Sequence, residues 1–300
     1  MTTLQILSED CRNIAGRLGE YVLRVEGPGR IGSAFLWTEA GLAVSSAALL
    51  ETDSCGNHAD TVLIRNEAGE EAEARILMVD PSIDLAVLEL KGQAAAWKPA
   101  PVPRAGDLLL SLGRPGKSVR VAMGMASAVS PEPWRTPGGG SLAFYVEVDG
   151  SLPEGFWGGP LVDSGGSVVG MNTGAMPRGI GMTVPVQTIA ASLDDFRRGA
   201  KLRGFFLGVN TIPVPAPRGG VAERRSALMI TEMEPGSPAD EAGLLPGDVL
   251  FGIGDLPLQD YGDLVAALAG KSVSERLERQ VTVWRGGILS EKTVTLRPRS

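Results

Sequence analysis

Short apolar runs separated by glycine and proline are the feature of this sequence that most restricts its fold. The chain holds 40 glycines and 21 prolines in 300 residues, and 43% of its residues are hydrophobic. Runs such as 21–25, 61–65 and 85–90 are too short for ordinary helices but have the length and composition of β-strands. The pattern predicts a mainly β protein with many tight turns.

Changes in the spacing of apolar residues divide the chain further. Apolar residues at Leu4, Leu7, Cys11, Ile14 and Leu18 recur at steps of three and four, which predicts a leading amphipathic helix. Two β units follow, joined by a proline-containing connector, and a second helix comes after them. A basic stretch then leads into a compact C-terminal unit. We therefore expect two domains, covering residues 1–200 and 201–300.

The charge pattern and the cysteines exclude several classes of function. The net charge is -7 and both signs are interspersed, so we expect no nucleic-acid partner and no attachment to an anionic membrane. Apolar runs are too short for a membrane span. The two cysteines, Cys11 and Cys55, lack the paired spacing of a metal site and are expected to be free thiols. We expect no metal and no cofactor.

The compartment stays open at this stage. Nothing before Leu18 combines a basic segment with an apolar one, as a secretory signal would. The sequence is therefore compatible with a cytoplasmic protein if the chain is complete, and with an extracytoplasmic protein if an export segment precedes it.

Three segments in the two β units carry a recognisable order of motifs. Residues 32–35 (GSAF) and 41–49 (GLAVSSAAL) form the first, 79–88 (VDPSIDLAVL) the second, and 146–149 (VEVD) with 153–162 (PEGFWGGPLV) the third. They resemble, in the same order, the histidine, aspartate and serine blocks of HtrA-family serine proteases. By this resemblance Ala48 stands at the histidine position, Asp84 at the aspartate position and Trp157 at the serine position.

The resemblance continues through both β units and into the C-terminal unit. Residues 168–173 and 179–185 also follow the protease pattern, and residues 204–209 and 236–250 resemble the family's PDZ module. The resemblance implies a chymotrypsin-like double β-barrel followed by a PDZ domain.

The chemistry of the family needs residues that this chain lacks. Acyl transfer requires a hydroxyl nucleophile and an imidazole base, with a carboxylate to orient the base. Alanine and tryptophan supply neither of the first two, so we expect no catalysis and interpret Asp84 as an acceptor for nearby donors. The resemblance assigns a vestigial oxyanion hole to the amides of Gly155 and Trp157. We expect the indole of Trp157 to pack beside Ala48 in the vacated base site or to lie over the cleft.

Two other residues superficially match the missing groups. His58 lies in a polar loop past the expected base position, where a solvated surface histidine is the simpler interpretation. Ser164 lies in the string Asp163-Ser164-Gly165-Gly166, but this string falls between two predicted strands, so we expect a hairpin tip.

A PDZ domain receives a peptide C-terminus as an added strand and holds its carboxylate with backbone amides. By resemblance the carboxylate loop is Phe206, Leu207, Gly208 and Val209, and the facing helix supplies Leu264, Val265 and Leu268. The last three also fit an ordinary core face.

The preferred interpretation is an HtrA-like pseudoprotease that binds protein C-termini or unfolded polypeptide, as an adaptor, a chaperone-like protein or a regulator in protein quality control. The alternatives are an active serine endopeptidase with a non-standard catalytic arrangement and a purely structural protein. The resemblance also implies a homo-oligomer, expected to be a homotrimer.

Overall fold

The computed structural model describes residues 2–50, 59–92, 94–136, 140–150, 152, 154–174, 181–198, 205–217, 226–268 and 277–298. The chain forms two compact units, Met1–Trp134 with Ser141–Leu193, and Arg135–Gly140 with Asp194–Ser300. None of the helices in these ranges has the length and apolar character needed to cross a membrane.

The predicted leading helix is α1, Thr3–Gly19. Its first turn is fixed by a capping box, in which Thr2 N donates to Gln5 Oε1 at 2.7 Å and Gln5 N donates to Thr2 Oγ1 at 3.3 Å. The apolar stripe expected from the sequence is only partly buried, because Ile14 and Leu18 are enclosed while Leu4 is 77% exposed. The C-terminal half of the helix therefore makes the contacts that anchor it.

The first β unit is a closed six-stranded barrel in the order β1-β2-β3-β6-β5-β4. Alternate residues of its strands point inward and form one buried cluster of alanine, valine, leucine and isoleucine side chains. A short 3-10 turn, Ala47–Leu49, follows β3. The strands are β1 (Val22–Gly27), β2 (Arg30–Leu36), β3 (Leu42–Ser45), β4 (Thr61–Arg65), β5 (Glu71–Asp80) and β6 (Leu85–Glu89).

The second β unit is another closed six-stranded barrel, in the order β11-β14-β13-β12-β7-β8. Two short strands, β9 and β10, lie between β8 and β11 along the chain, and helix α2 (Val186–Arg197) follows the barrel. The strands are β7 (Leu108–Gly113), β8 (Arg120–Ser130), β9 (Trp134–Arg135), β10 (Ser141–Leu142), β11 (Tyr145–Val148), β12 (Pro160–Asp163), β13 (Val168–Thr173) and β14 (Gly181–Pro185).

The C-terminal unit is an antiparallel sheet in the order β15-β21-β20-β18-β17-β16, with β19 pairing with β18. Two apolar clusters form its core, and both the sheet and the last helix contribute to the larger one. Its elements are β15 (Phe205–Phe206), β16 (Val209–Pro215), β17 (Ser226–Met233), α3 (Pro238–Glu241), β18 (Val249–Ile253), β19 (Leu256–Pro257), α4 (Tyr261–Leu268), β20 (Leu277–Arg285) and β21 (Ile288–Pro298).

A buried arginine links α1, β1 and the segment between β7 and β8. Arg114 is 1% exposed, and its guanidinium donates to the carbonyl oxygens of Gly19 at 2.7 Å, Val22 at 2.6 Å and Lys117 at 2.6 Å. Burial lowers the pKa of this guanidinium from its usual value. The carbonyl dipoles supply the polar partners that a buried cation requires.

The fold class expected from the sequence is confirmed. Two closed six-stranded barrels are followed by a smaller antiparallel sheet with its own core, and most predicted strands lie within a few residues of the observed ones.

Candidate functional site

The carboxylate of Asp84 is the centre of the first candidate site. Asp84 lies in the turn between β5 and β6, is 2% exposed and adopts a φ of 56°, which places it in the left-handed region. Its oxygens accept from Ser46 Oγ at 2.8 Å, from Ala48 N at 2.9 Å and from Thr173 Oγ1. Hydroxyl and backbone donors of the chain itself therefore surround this carboxylate. This agrees with the interpretation of Asp84 as a hydrogen-bond acceptor.

Ala48 lies in the 3-10 turn after β3 and is half-buried. The turn is held to the aspartate loop twice, because Ala48 N bonds the Asp84 side chain and Ala47 N donates to Asp84 O at 3.3 Å. The methyl group of Ala48 offers no proton acceptor at this position. His58, the one histidine of the chain, lies outside the described residues.

Trp157 packs toward the first barrel. The half-buried indole lies against the apolar cluster of that barrel. It also covers Gly174 so closely that a Cβ atom added there would lie 1.7 Å from Cε2 of the indole. Both placements expected from the sequence, beside Ala48 or over the cleft, stay predictions, because these contacts involve the barrel cluster and Gly174. Gly174 is required here because any larger side chain would occupy the space of the indole.

The loop that carries Gly155 forms a 3-10 turn, Glu154–Phe156. Gly155 O accepts from Ser33 Oγ at 2.7 Å, and Trp157 O accepts from Ser33 N at 2.8 Å. The assignment of the amides of Gly155 and Trp157 to a vestigial oxyanion hole stays a prediction.

Three polar residues of this region were given no role by the sequence reasoning. Ser33 holds the Gly155 loop to β2, while Ser46 and Thr173 supply hydroxyl donors to Asp84. All three are buried. In the sequence these residues are marked only by their position inside or beside the motif segments. Their hydrogen-bond acceptors are identified only by the tertiary structure.

Ser164 lies at the tip of the β12–β13 hairpin, as predicted. Gly166 N donates to Asp163 O at 2.9 Å, and Asp163 Oδ1 accepts from Gly165 N at 2.9 Å and from Ser167 N at 2.8 Å. This pattern is typical of an aspartate-capped turn. The aspartate beside Ser164 therefore serves the turn.

The second candidate site is the loop between β15 and β16. Leu207 O accepts from Ala239 N at 3.0 Å, and Gly208 O accepts from Glu234 N at 3.0 Å. In a planar trans peptide the amide points away from the preceding carbonyl. The amides of Gly208 and Val209 therefore both point away from the segment that binds these carbonyls, which is the arrangement a carboxylate loop needs.

Gly208 is required for the backbone of this loop. Its φ is 82°, and an added Cβ would lie 2.2 Å from Cβ of Ser237. Both the left-handed conformation and the close approach exclude a larger residue.

The residues expected to line the groove differ in exposure. Leu207 and Leu264 are 2% and 3% exposed and belong to the core cluster, so they support the site from inside. Phe206, Val209 and Leu268 are half-buried. The side chain of Val265 lies outside the described residues. The assignment of this set to peptide binding stays a prediction.

Comparisons with known proteins agree with both parts of the fold. Residues 32–171 match the family model "Trypsin-like peptidase domain" and residues 229–279 match the model "PDZ domain". The chain is 32% identical over 301 residues to a probable periplasmic serine endoprotease, DegP-like, of Rhizobium meliloti, covering 95% of this chain and 56% of the relative.

Two solved structures share the fold. The serine endoprotease from Yersinia pestis is 20% identical with a TM-score of 0.60, and the alignment covers 96% of this chain and 98% of that one. The HtrA-type protease AlgW with tripeptide is 24% identical with a TM-score of 0.59, with coverage of 96% and 97%. The chain spans about half the length of the curated relatives it matches, 56% and 53% for the first two.

Proposed function

Because this chain belongs to the HtrA family, with a trypsin-like peptidase domain followed by a PDZ domain, we propose that it is a non-catalytic member that binds polypeptide. The observation that carries the proposal is the environment of Asp84. Its carboxylate accepts from Ser46, Ala48 N and Thr173, while the base and nucleophile positions hold Ala48 and Trp157.

The chemistry of these positions supports an inactive centre. In a Ser-His-Asp triad the serine is activated when the imidazole takes its proton, and the carboxylate acts by orienting that imidazole. Neither the methyl group of Ala48 nor the indole of Trp157 can take part in proton transfer or form an acyl intermediate. The packing of Trp157 over Gly174 gives the indole a structural role in place of a chemical one.

The C-terminal unit supports a binding function. The amides of Gly208 and Val209 point to one side of their loop, and β16 lies at the end of its sheet. A PDZ domain uses these two features to bind a free carboxylate and to pair with the peptide that carries it. AlgW, a structural relative, has been solved with a tripeptide. An adaptor, chaperone-like or regulatory role follows from binding without cleavage.

The relatives also bear on location. Those from Rhizobium meliloti and Brucella suis are both described as periplasmic. We propose that this chain also works outside the cytoplasm, which the descriptions of these relatives support. Fractionation of the source cells, with detection of the full chain by antibody, tests this placement.

Titration of the full chain with fluorescent peptides tests the binding function. Each peptide is prepared with a free C-terminal carboxylate and as the C-terminal amide. We expect the amide to lose at least about tenfold in affinity, since charge-assisted hydrogen bonds to backbone amides are lost. Equal affinity of the acid and amide forms would contradict the assignment of residues 206–209 as the carboxylate loop.

A further inference from the structure

Strand β16, Val209–Pro215, is the edge strand of the C-terminal sheet. It pairs with β17 on one side and stands last in the strand order, so its other side has no partner among the described strands. Helix α4 also contacts β16. An unpaired edge beside a helix is the place where an extended peptide adds as a further strand.

The orientation of the backbone groups of β16 follows from its neighbour. Ile230 N donates to Asp248 O at 2.9 Å, and Ile230 O accepts from Gly247 N at 2.8 Å, so the backbone of Ile230 points away from β16. Its partner across the pair is Thr211. Antiparallel pairs alternate between bonded and non-bonded, so this pair is non-bonded and the N–H and C=O of Thr211 point to the free edge.

The same alternation gives Pro213 and Pro215 the orientation of Thr211. The register shifts between Asn210 and Thr211, so hydrogen bonds orient the first two residues of the strand. Gly208 O accepts from Glu234 N at 3.0 Å, which directs Val209 N to the free edge, and Asn210 O faces β17, where it accepts from Thr231 Oγ1 at 3.2 Å. Proline has no N–H group. The free edge therefore offers both a donor and an acceptor at Val209 and Thr211, but only acceptors at the two prolines.

We infer that this groove recognises only the extreme C-terminus of a polypeptide, about three residues long, a conclusion that rests on the proposed function. The carboxylate binds the amides of Gly208 and Val209, and the carbonyl oxygen of Val209 accepts from the last amide of the ligand. The next outward-facing residue, Thr211, makes both bonds of an antiparallel pair. The following one is Pro213, where the carbonyl oxygen of the ligand finds no donor.

The partner is thus defined by a free chain end and a short terminal segment. Residues of the ligand upstream of the last three lie opposite Pro213 and Pro215, where the hydrogen-bond ladder with β16 is incomplete. Their sequence therefore contributes little to the affinity. Prolines on an edge strand also prevent pairing with long strands. The ligand class is therefore released chain ends with varied upstream sequence, rather than long extended segments.

The test compares peptide length in the full chain. Acetylated peptides ending in valine, leucine or phenylalanine are titrated as tetrapeptides and octapeptides, with alternating alanine and serine as the upstream residues. The variant Pro213→Val restores an N–H group at the free edge. Ile212→Val is the matched control, because Ile212 is an exposed neighbour whose backbone faces β17.

In the wild-type chain we expect the octapeptides and tetrapeptides to bind within about twofold of each other. Pro213→Val should strengthen octapeptide binding by about two- to tenfold, the factor that one neutral hydrogen bond contributes, with tetrapeptides unchanged. The control variant Ile212→Val should bind peptides of both lengths with the affinities of the wild type. Two outcomes would overturn this inference but not the proposed function. In one, an octapeptide binds the wild type much more tightly than its tetrapeptide. In the other, Pro213→Val changes the affinity of both lengths equally. Absence of binding by every peptide would overturn the proposed function and this inference with it.

Discussion

The contacts and backbone conformation of Asp84 give structural reasons for an aspartate at this position. Its side chain joins the turn at Ala48 to the end of β13 through Thr173, and its own backbone lies in the left-handed region. Asparagine and aspartate tolerate that conformation better than most residues. The carboxylate therefore meets a conformational need and a hydrogen-bonding need at one position.

Replacement of Asp84 should lower the free energy of unfolding of the protein. Asp84→Ala leaves the buried hydroxyls of Ser46 and Thr173 without their acceptor, at a cost of about 2–4 kcal/mol in the free energy of unfolding. Denaturant unfolding measures this loss, and the exposed Asp10→Ala is the control. A stability equal to that of the wild type would show that these hydrogen bonds contribute nothing.

Arg114 is the second residue on which local order depends. Arg114→Ala removes the donor from two buried carbonyl oxygens, of Gly19 and Val22, and from the partly buried carbonyl oxygen of Lys117. We expect a loss of about 3–5 kcal/mol. Thermal unfolding should show a clearly lowered Tm, whereas Arg12→Ala, on the exposed face of α1, should leave it unchanged. Equal Tm values for the two variants would contradict the role assigned to the buried guanidinium.

At the level of elements, the sequence predicted strands well because their signals are local. Glycine and proline mark the turns, and the Asp163 string was correctly placed as a hairpin tip from the strands around it. The apolar stripe of α1 was a weaker guide. Leu4 and Ile6 in its first half are exposed, so periodicity predicted the helix but not the extent of its burial.

The sequence assigned Ala48, Asp84 and Trp157 to the family's catalytic positions by resemblance, but it did not indicate which residues surround them. The contact between Trp157 and Gly174 joins two loops that are separate in the chain, and no local pattern encodes it. The same holds for the hydrogen bonds of Ser33 to the Gly155 loop and for the row of backbone groups presented by β16. These features depend on tertiary packing and strand register.

The fit between the Trp157 and Gly174 loops can be measured by a double-mutant cycle. Gly174→Ala should destabilise the wild type by about 1–3 kcal/mol, because the added methyl group enters the space of the indole. In a Trp157→Ser background the same change should cost much less. Denaturant unfolding of the four proteins yields the coupling energy, and a value near zero would mean that the two residues do not constrain each other.

At the scale of the whole molecule, the proposed absence of both the base and the nucleophile predicts that restoring them has strongly non-additive effects on activity. Ala48→His alone and Trp157→Ser alone should each leave the protein without protease activity, because a base and a nucleophile work only as a unit. The double variant restores all three residue types beside Asp84. Fluorophosphonate labelling should be absent from both single variants, and labelling of either would contradict this dependence.

Turnover by the wild-type chain tests the account most directly. Repurified protein is incubated with unfolded casein, and new amino termini are counted against a blank without protein. The account predicts a rate equal to the blank, because no proton acceptor stands at Ala48 and no nucleophile at Trp157. Turnover that survives repurification and is abolished by His58→Ala or Ser164→Ala would reveal a relocated active site and contradict the account.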